Sequence, residues 1–137
     1  MKCFPSPASE TLVLVLTVTA LACGSNQALK NIQLSPATAD AKNYGGGQVQ
    51  FTATGSLNGM PPQPLKSPQI FWCTGTTAGR CAGNVVQGAF IDQNGLAQCN
   101  TSFTGTVTIL AGTATPPPNP DTGAQLKIFG SAQLTCP

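Results

Sequence analysis

The chain has 137 residues, of which 41% are apolar and only 7% charged, six basic against four acidic, with no histidine and six cysteines. A net charge of +2 in a chain this poor in charge cannot form a phosphate-tracking stripe, which excludes nucleic acid as a partner. Lack of histidine removes the imidazole general base, the Ser-His and Cys-His nucleophile pairs and the imidazole metal ligand, so no enzyme is expected and no cofactor or metal is implied.

Residues 1–22 have the layout of a secretory signal peptide: one cation at Lys2, an apolar run over residues 12–22, then Cys23-Gly24-Ser25-Asn26. As a helix the apolar run would rise about 16 Å, roughly half of a ~30 Å hydrocarbon core, which suits an export signal better than a permanent span. Ala20-Leu21-Ala22-Cys23 resembles the lipobox of bacterial lipoproteins. The resemblance implies cleavage before Cys23, lipidation of that cysteine and attachment to a membrane of the cell envelope, with Gly24 and Ser25 allowing transfer to an outer membrane. An ordinary cleaved signal with an incidental Cys23 is the alternative. Residues 23–28 then form a short tether and residues 29–137 one domain.

From residue 29 onward short alternating runs rich in Val, Ile, Thr and Phe recur between Gly, Pro and Asn clusters, with no sustained helical period. The domain is therefore expected to be all-β. Residues 32–34 open the series and stop at Ser35-Pro36, since proline cannot donate to a ladder. Gly45-Gly46-Gly47 makes a turn, and residues 48–54 alternate cleanly, with Val49, Phe51 and Ala53 on one face. Residues 60–64, with three prolines, read as a connection. Residues 69–73 place Ile70 and Trp72 together, making the only tryptophan a core residue, and the Gly- and Thr-rich stretch to Cys81 reads as a loop.

Residues 89–99 contain Asn94-Gly95 between two apolar runs, a strong hairpin signal because both residues tolerate positive φ. A strand over residues 105–111, a linker-like Pro-rich stretch over 115–120 and a last strand over 128–136, with Ala132, Leu134 and Cys136 on one face, complete about seven strands. Seven short strands at this turn spacing suit an immunoglobulin-like β-sandwich better than a barrel.

Five pieces carry a family resemblance, in this order: Ile32-Gln33-Leu34-Ser35-Pro36-Ala37-Thr38-Ala39; Gly46-Gly47-Gln48-Val49-Gln50-Phe51-Thr52-Ala53-Thr54-Gly55; Ile70-Phe71-Trp72; Ile91-Asp92-Gln93-Asn94-Gly95-Leu96; and Gly105-Thr106-Val107-Thr108-Ile109. Over about residues 29 to 136 the chain resembles the bacterial Ig-like group 2 domain. The resemblance implies a surface module of the kind found in adhesins and on exported enzymes, with no shared catalytic residues.

Setting aside Cys3 and Cys23 leaves Cys73, Cys81, Cys99 and Cys136, an even set in an exported chain, which favours two disulfides among three possible connectivities. With successive strands running alternately up and down, an Ig-like topology gathers all four toward one end. The pairing Cys73 with Cys81 and Cys99 with Cys136 then closes one local loop and pins the last strand. A zinc site built from the four cysteines is the weaker reading, because no closely spaced pair exists.

Asp92-Gln93-Asn94-Gly95 lacks the acidic twelfth ligand of a calcium loop and is accounted for by the hairpin. Lys66-Ser67 reads as solvated surface. Two functions follow: a non-catalytic, lipid-anchored surface module that binds or spaces a protein partner, or a carbohydrate-binding, lectin-like domain. The second would use Tyr44, Phe71, which alternates away from Trp72, and the Pro-rich loop over residues 116–120.

Overall fold

The computed structural model describes residues 28–82, 88–114 and 123–137. Among these residues the regular structure is β throughout, with two single-turn 3-10 helices at Ala41–Asn43 and Gly45–Gly47. In chain order the strands are β1 (Leu29–Ser35), β2 (Thr38–Asp40), β3 (Gln48–Gln50), β4 (Thr52–Leu57), β5 (Gln63–Leu65) and β6 (Phe71–Gly75). They continue with β7 (Arg80–Cys81), β8 (Ala89–Ile91), β9 (Leu96–Cys99), β10 (Gly105–Thr113), β11 (Ala124–Gln125) and β12 (Ile128–Cys136).

There are more strands than the alternation suggests because one predicted run is divided and four short strands are added. The run over residues 48–54 breaks at Phe51, whose N–H donates to Gly95 O at 2.8 Å instead of joining the ladder on either side. On one edge of this run β1 pairs with β4. On the other edge β9 pairs with β3, and β5 pairs with β4. The first run ends at Ser35-Pro36 as expected, and beyond it the chain leaves β4 and lies parallel to β12 as an added strand, β2. Residues 63–65, expected to be connection only, pair with β4 at the edge of their sheet, where Pro64 is tolerated because an edge has no outer neighbour to donate to. The stretch expected to be a loop before Cys81 is a hairpin, β6 to β7, closed by Thr76 N–H to Arg80 O at 3.0 Å.

Two layers result. One contains β1, β4 and β5 together with β3, β9 and β8; the other has the order β11-β7-β6-β10-β12-β2. The predicted alternation is what fills the space between them. Val49, Phe51, Ala53 and Ala97 from the first layer meet Trp72, Ile109, Ala111, Ala132 and Leu134 from the second, all buried. Phe51, Ile109 and Leu134 are fully enclosed, each contributing on the order of 1.5–3 kcal/mol of burial. Gly130 lets β1 approach β12, since a Cβ there would stand 2.6 Å from Ile32 O.

A second, smaller core lies on the outward face of the β6/β10 sheet. Leu110 alternates away from Ile109 and Ala111, yet it is fully buried, packed with Cys81 and Leu126 and flanked by Phe129 and Cys73. Residues 123–127 fold back to cover it: Leu126 N–H donates to Gly79 O at 2.9 Å, Lys127 N–H to Thr113 O at 2.8 Å, and β11 pairs with β7.

Disulfides join Cys73 to Cys81 and Cys99 to Cys136. The expected gathering of all four cysteines at one end does not occur. Cys136 is level with Gly105 at the start of β10, whereas Cys73 is level with Leu110, about 16 Å further along at ~3.3 Å per residue. The bonds also lie on opposite faces of their sheet, because Cys136 alternates inward with Leu134 and Cys73 outward with Leu110. Cys23 and the Pro-rich stretch over 116–120 lie outside the described residues.

Candidate binding cleft

The two aromatic residues suggested as ligand contacts are not brought together. Tyr44 is exposed between the two 3-10 turns, beyond the Asp40–Lys42 ion pair of 3.0 Å, at the end of the sandwich where β10 starts. Phe71 is half-buried and level with Gly112, about 23 Å further along β10. Among the described residues the most exposed aromatic ring is Phe90, 63% exposed on the edge strand β8. Its exposure follows from the same period of two that turns Ala89 and Ile91 inward, a signal present in the sequence but not used for it.

A more built feature lies where the break at Phe51 parts β5 from β9 along one edge of β3 and β4. It is a cleft of about 370 Å³, lined on one side by Pro64, Leu65, Lys66 and Ser67 and on the other by Gln93 and Asn94, with Phe51 and Trp72 also contributing. Three amides frame it. The side-chain amide of Gln50 donates to Phe51 O and to Asn94 O, both at 2.8 Å, tying the strand break to the turn opposite. Gln93 Nε2 donates to Trp72 O at 3.0 Å while Gln93 Oε1 accepts from Trp72 N–H at 3.2 Å, so one side chain takes the place of a neighbouring strand along this edge of β6. Gln69 Oε1 accepts from Lys66 N–H at 3.4 Å and closes the turn after β5.

The opposite wall is made by a three-residue turn rather than the two-residue turn that Asn94-Gly95 suggests. Of that pair only Gly95 has positive φ, +84°, and its N–H donates to Asp92 O at 3.1 Å while Asp92 N–H donates to Leu96 O at 3.0 Å. This is a type I turn followed by a glycine bulge. The cause is the Asp92 carboxylate, which accepts from Asn94 N–H at 2.8 Å, Leu96 N–H at 2.9 Å and Asn94 Nδ2 at 3.4 Å. Bonding to the Leu96 N–H, opposed by partial desolvation and reinforced by the Asn94 N–H, holds the Asp92 carboxyl below the usual carboxylate value.

Trp72 is 5% exposed and borders the cleft. Its indole N–H has no acceptor among the described residues, and no fully buried side-chain nitrogen or oxygen there lacks a partner. Lys66 supplies the one charged side chain of the lining among the described residues. Sequence reasoning left Lys66-Ser67 as surface and Gln93 as turn, because only the tertiary pairing of β5 and β9 with the same edge sets them across from each other.

A second groove, of about 310 Å³, lies along β6, β7 and β10 beside Thr74, Thr76, Arg80, Thr106 and Thr108. Among the described residues no cluster of three or more His, Cys, Asp or Glu side chains could hold a metal ion, and no helix is long and apolar enough to cross a membrane. No protein-family model matches the chain, and comparison with curated proteins finds no match.

Proposed function

We propose that the chain is an exported, lipid-anchored module of the bacterial cell envelope with an immunoglobulin-like sandwich of the group 2 bacterial type, acting by binding or spacing a partner rather than by catalysis. The observation that carries this reading is the pair of disulfides, Cys73–Cys81 and Cys99–Cys136, which belong to an oxidising, exported setting. The apolar run over residues 12–22 followed by Cys23 supplies the route out and the anchor. The crossing at Pro36, from β1 paired with β4 to β2 parallel with β12, supports the immunoglobulin-like arrangement. Metabolic labelling with palmitate tests the anchor: label is expected on the wild-type chain and none on Cys23→Ala. Label persisting in the variant, or none on the wild type, refutes it.

A carbohydrate-binding role is the second reading, and the cleft beside Trp72 favours it. The separation of Tyr44 from Phe71 moves that role away from a joint aromatic platform. On a glycan array, Tyr44→Ala and Phe71→Ala are therefore expected to leave any signal in place, whereas its loss in both variants would restore the platform.

A further inference from the structure

Resting on the reading of the chain as a binding module, we propose that the cleft between β5 and the 92–95 turn is a subsite for one acidic sugar residue, a pyranose ring carrying a carboxylate. At about 370 Å³ it sits at the small end of the ~300–1,000 Å³ typical of small-molecule sites, room for one ring rather than a chain. The sign of its charge comes from Lys66, whose exposed ammonium is the only charged group of the lining among the described residues. The ionised carboxylate of the adjoining turn, Asp92, is not among the lining residues and is held within the turn by two N–H groups and the Asn94 amide.

The remaining groups match a hydroxylated ring. Gln50 has both its amide N–H groups on backbone oxygens, Phe51 O and Asn94 O, and Asn94 Nδ2 has one on Asp92 Oδ2, and each side chain carries an amide oxygen to accept from a hydroxyl. The Lys66 ammonium donates to the ligand carboxylate, and the Trp72 side chain borders the same space. Pro64 and Leu65 give an apolar wall for the C–H face of the ring. A neutral sugar loses the ammonium contact, and an acidic amino acid lacks the hydroxyls that the two amide oxygens accept from.

The chain contains a single tryptophan, so its emission reports on this cleft directly. The full-length chain in detergent micelles is titrated at fixed ionic strength with glucuronate, glucose and glutamate. Glucuronate is expected to give a saturable change with a Kd of about 1 mM, the range for a ligand of this size, and glucose and glutamate to bind at least about fivefold more weakly. Lys66→Ala is expected to weaken glucuronate about fivefold, to the level of glucose, and Lys66→Arg to restore it. Lys66 is exposed, so these variants keep the fold, which urea unfolding of the same samples checks. Three outcomes overturn the proposal: no saturable change with glucuronate, glucose or glutamate binding as tightly, or Lys66→Ala leaving glucuronate affinity unchanged. Labelling at Cys23 separates this from the anchoring reading. A labelled chain that does not bind glucuronate refutes the cleft alone, and a binding chain without label refutes the anchor alone.

Discussion

Replacing Gln93 by alanine removes the side chain that stands in for a strand beside β6. Both its amide atoms are used, Nε2 on Trp72 O at 3.0 Å and Oε1 on Trp72 N–H at 3.2 Å. Each hydrogen bond is worth about 0.5–1.5 kcal/mol net, and a buried group left unpaired costs about 1–3 kcal/mol. Gln93 itself is exposed, so water can follow the truncation and satisfy both backbone groups, and the lower pair of figures applies. The expected loss is therefore about 2 kcal/mol, or roughly 8 °C in Tm at about 4 °C per kcal/mol for a domain near this size. Urea and thermal unfolding of the wild type and Gln93→Ala measure it. A Gln93→Glu variant adds a signature that simple side-chain loss does not share. Ionised, its carboxylate can accept from Trp72 N–H but repels Trp72 O; protonated, it regains a donor. Its deficit relative to the wild type is expected to narrow as pH falls through about 4.3. A loss below about 0.5 kcal/mol for Gln93→Ala, the scale of an ordinary surface change, would refute the idea that this side chain completes the sheet edge.

The Asp92 carboxyl lies below its ordinary value of 3.8 because the Leu96 and Asn94 N–H groups bond its ionised form. A depressed folded-state pKa contributes stability that is complete above the unfolded value and lost as pH falls from there through the folded one. Unfolding stability is thus expected to show an Asp92-dependent decline below about pH 4, absent in Asp92→Asn; an unchanged acid limb in that variant would contradict the turn assignment. For the disulfides, loop closure over a separation of 37 against 8 residues gives about 3.8 kcal/mol for Cys99–Cys136 and about 2.5 kcal/mol for Cys73–Cys81. Each double variant empties one buried position, Cys136 or Cys81, so the longer loop decides the order: Cys99→Ala/Cys136→Ala is expected to be the less stable of the two in urea, and the reverse order would show that the outward staple matters more.

What could be read from the sequence is what depends on a period of two. Val49, Phe51 and Ala53, and likewise Ala132, Leu134 and Cys136, point inward as their alternation requires, and Trp72 is in the core beside Ile70. The position of the hairpin at Asn94-Gly95 was equally legible, but its type was not, since the Asp92 carboxylate selects the three-residue turn by bonding N–H groups two and four residues on. Leu110 was ambiguous for a different reason. Nothing within β10 tells that its outward face is covered, because the cover arrives from residues 123–127, beyond a Pro-rich stretch. The cleft escaped for the same reason: Lys66 and Asn94 are 28 positions apart in sequence and meet only because β5 and β9 share an edge of one interrupted strand.

The bridge from Cys99 to Cys136 also governs how the domain behaves under tension. Pulled by its two ends, β2 and β12 are drawn past each other as parallel neighbours, so their pairing from Thr38–Gln133 to Asp40–Thr135 is loaded in shear rather than peeled bond by bond. Should that pairing give way, the chain can lengthen only up to Cys99, because the sulfur bond closes a covalent ring around residues 100–135. The long β10–β12 ladder inside that ring, running from Gly105–Cys136 to Thr113–Ile128, carries no end-to-end load. A stretched molecule would keep this half of its core as a folded remnant, ready to template the return of the strands that had come away.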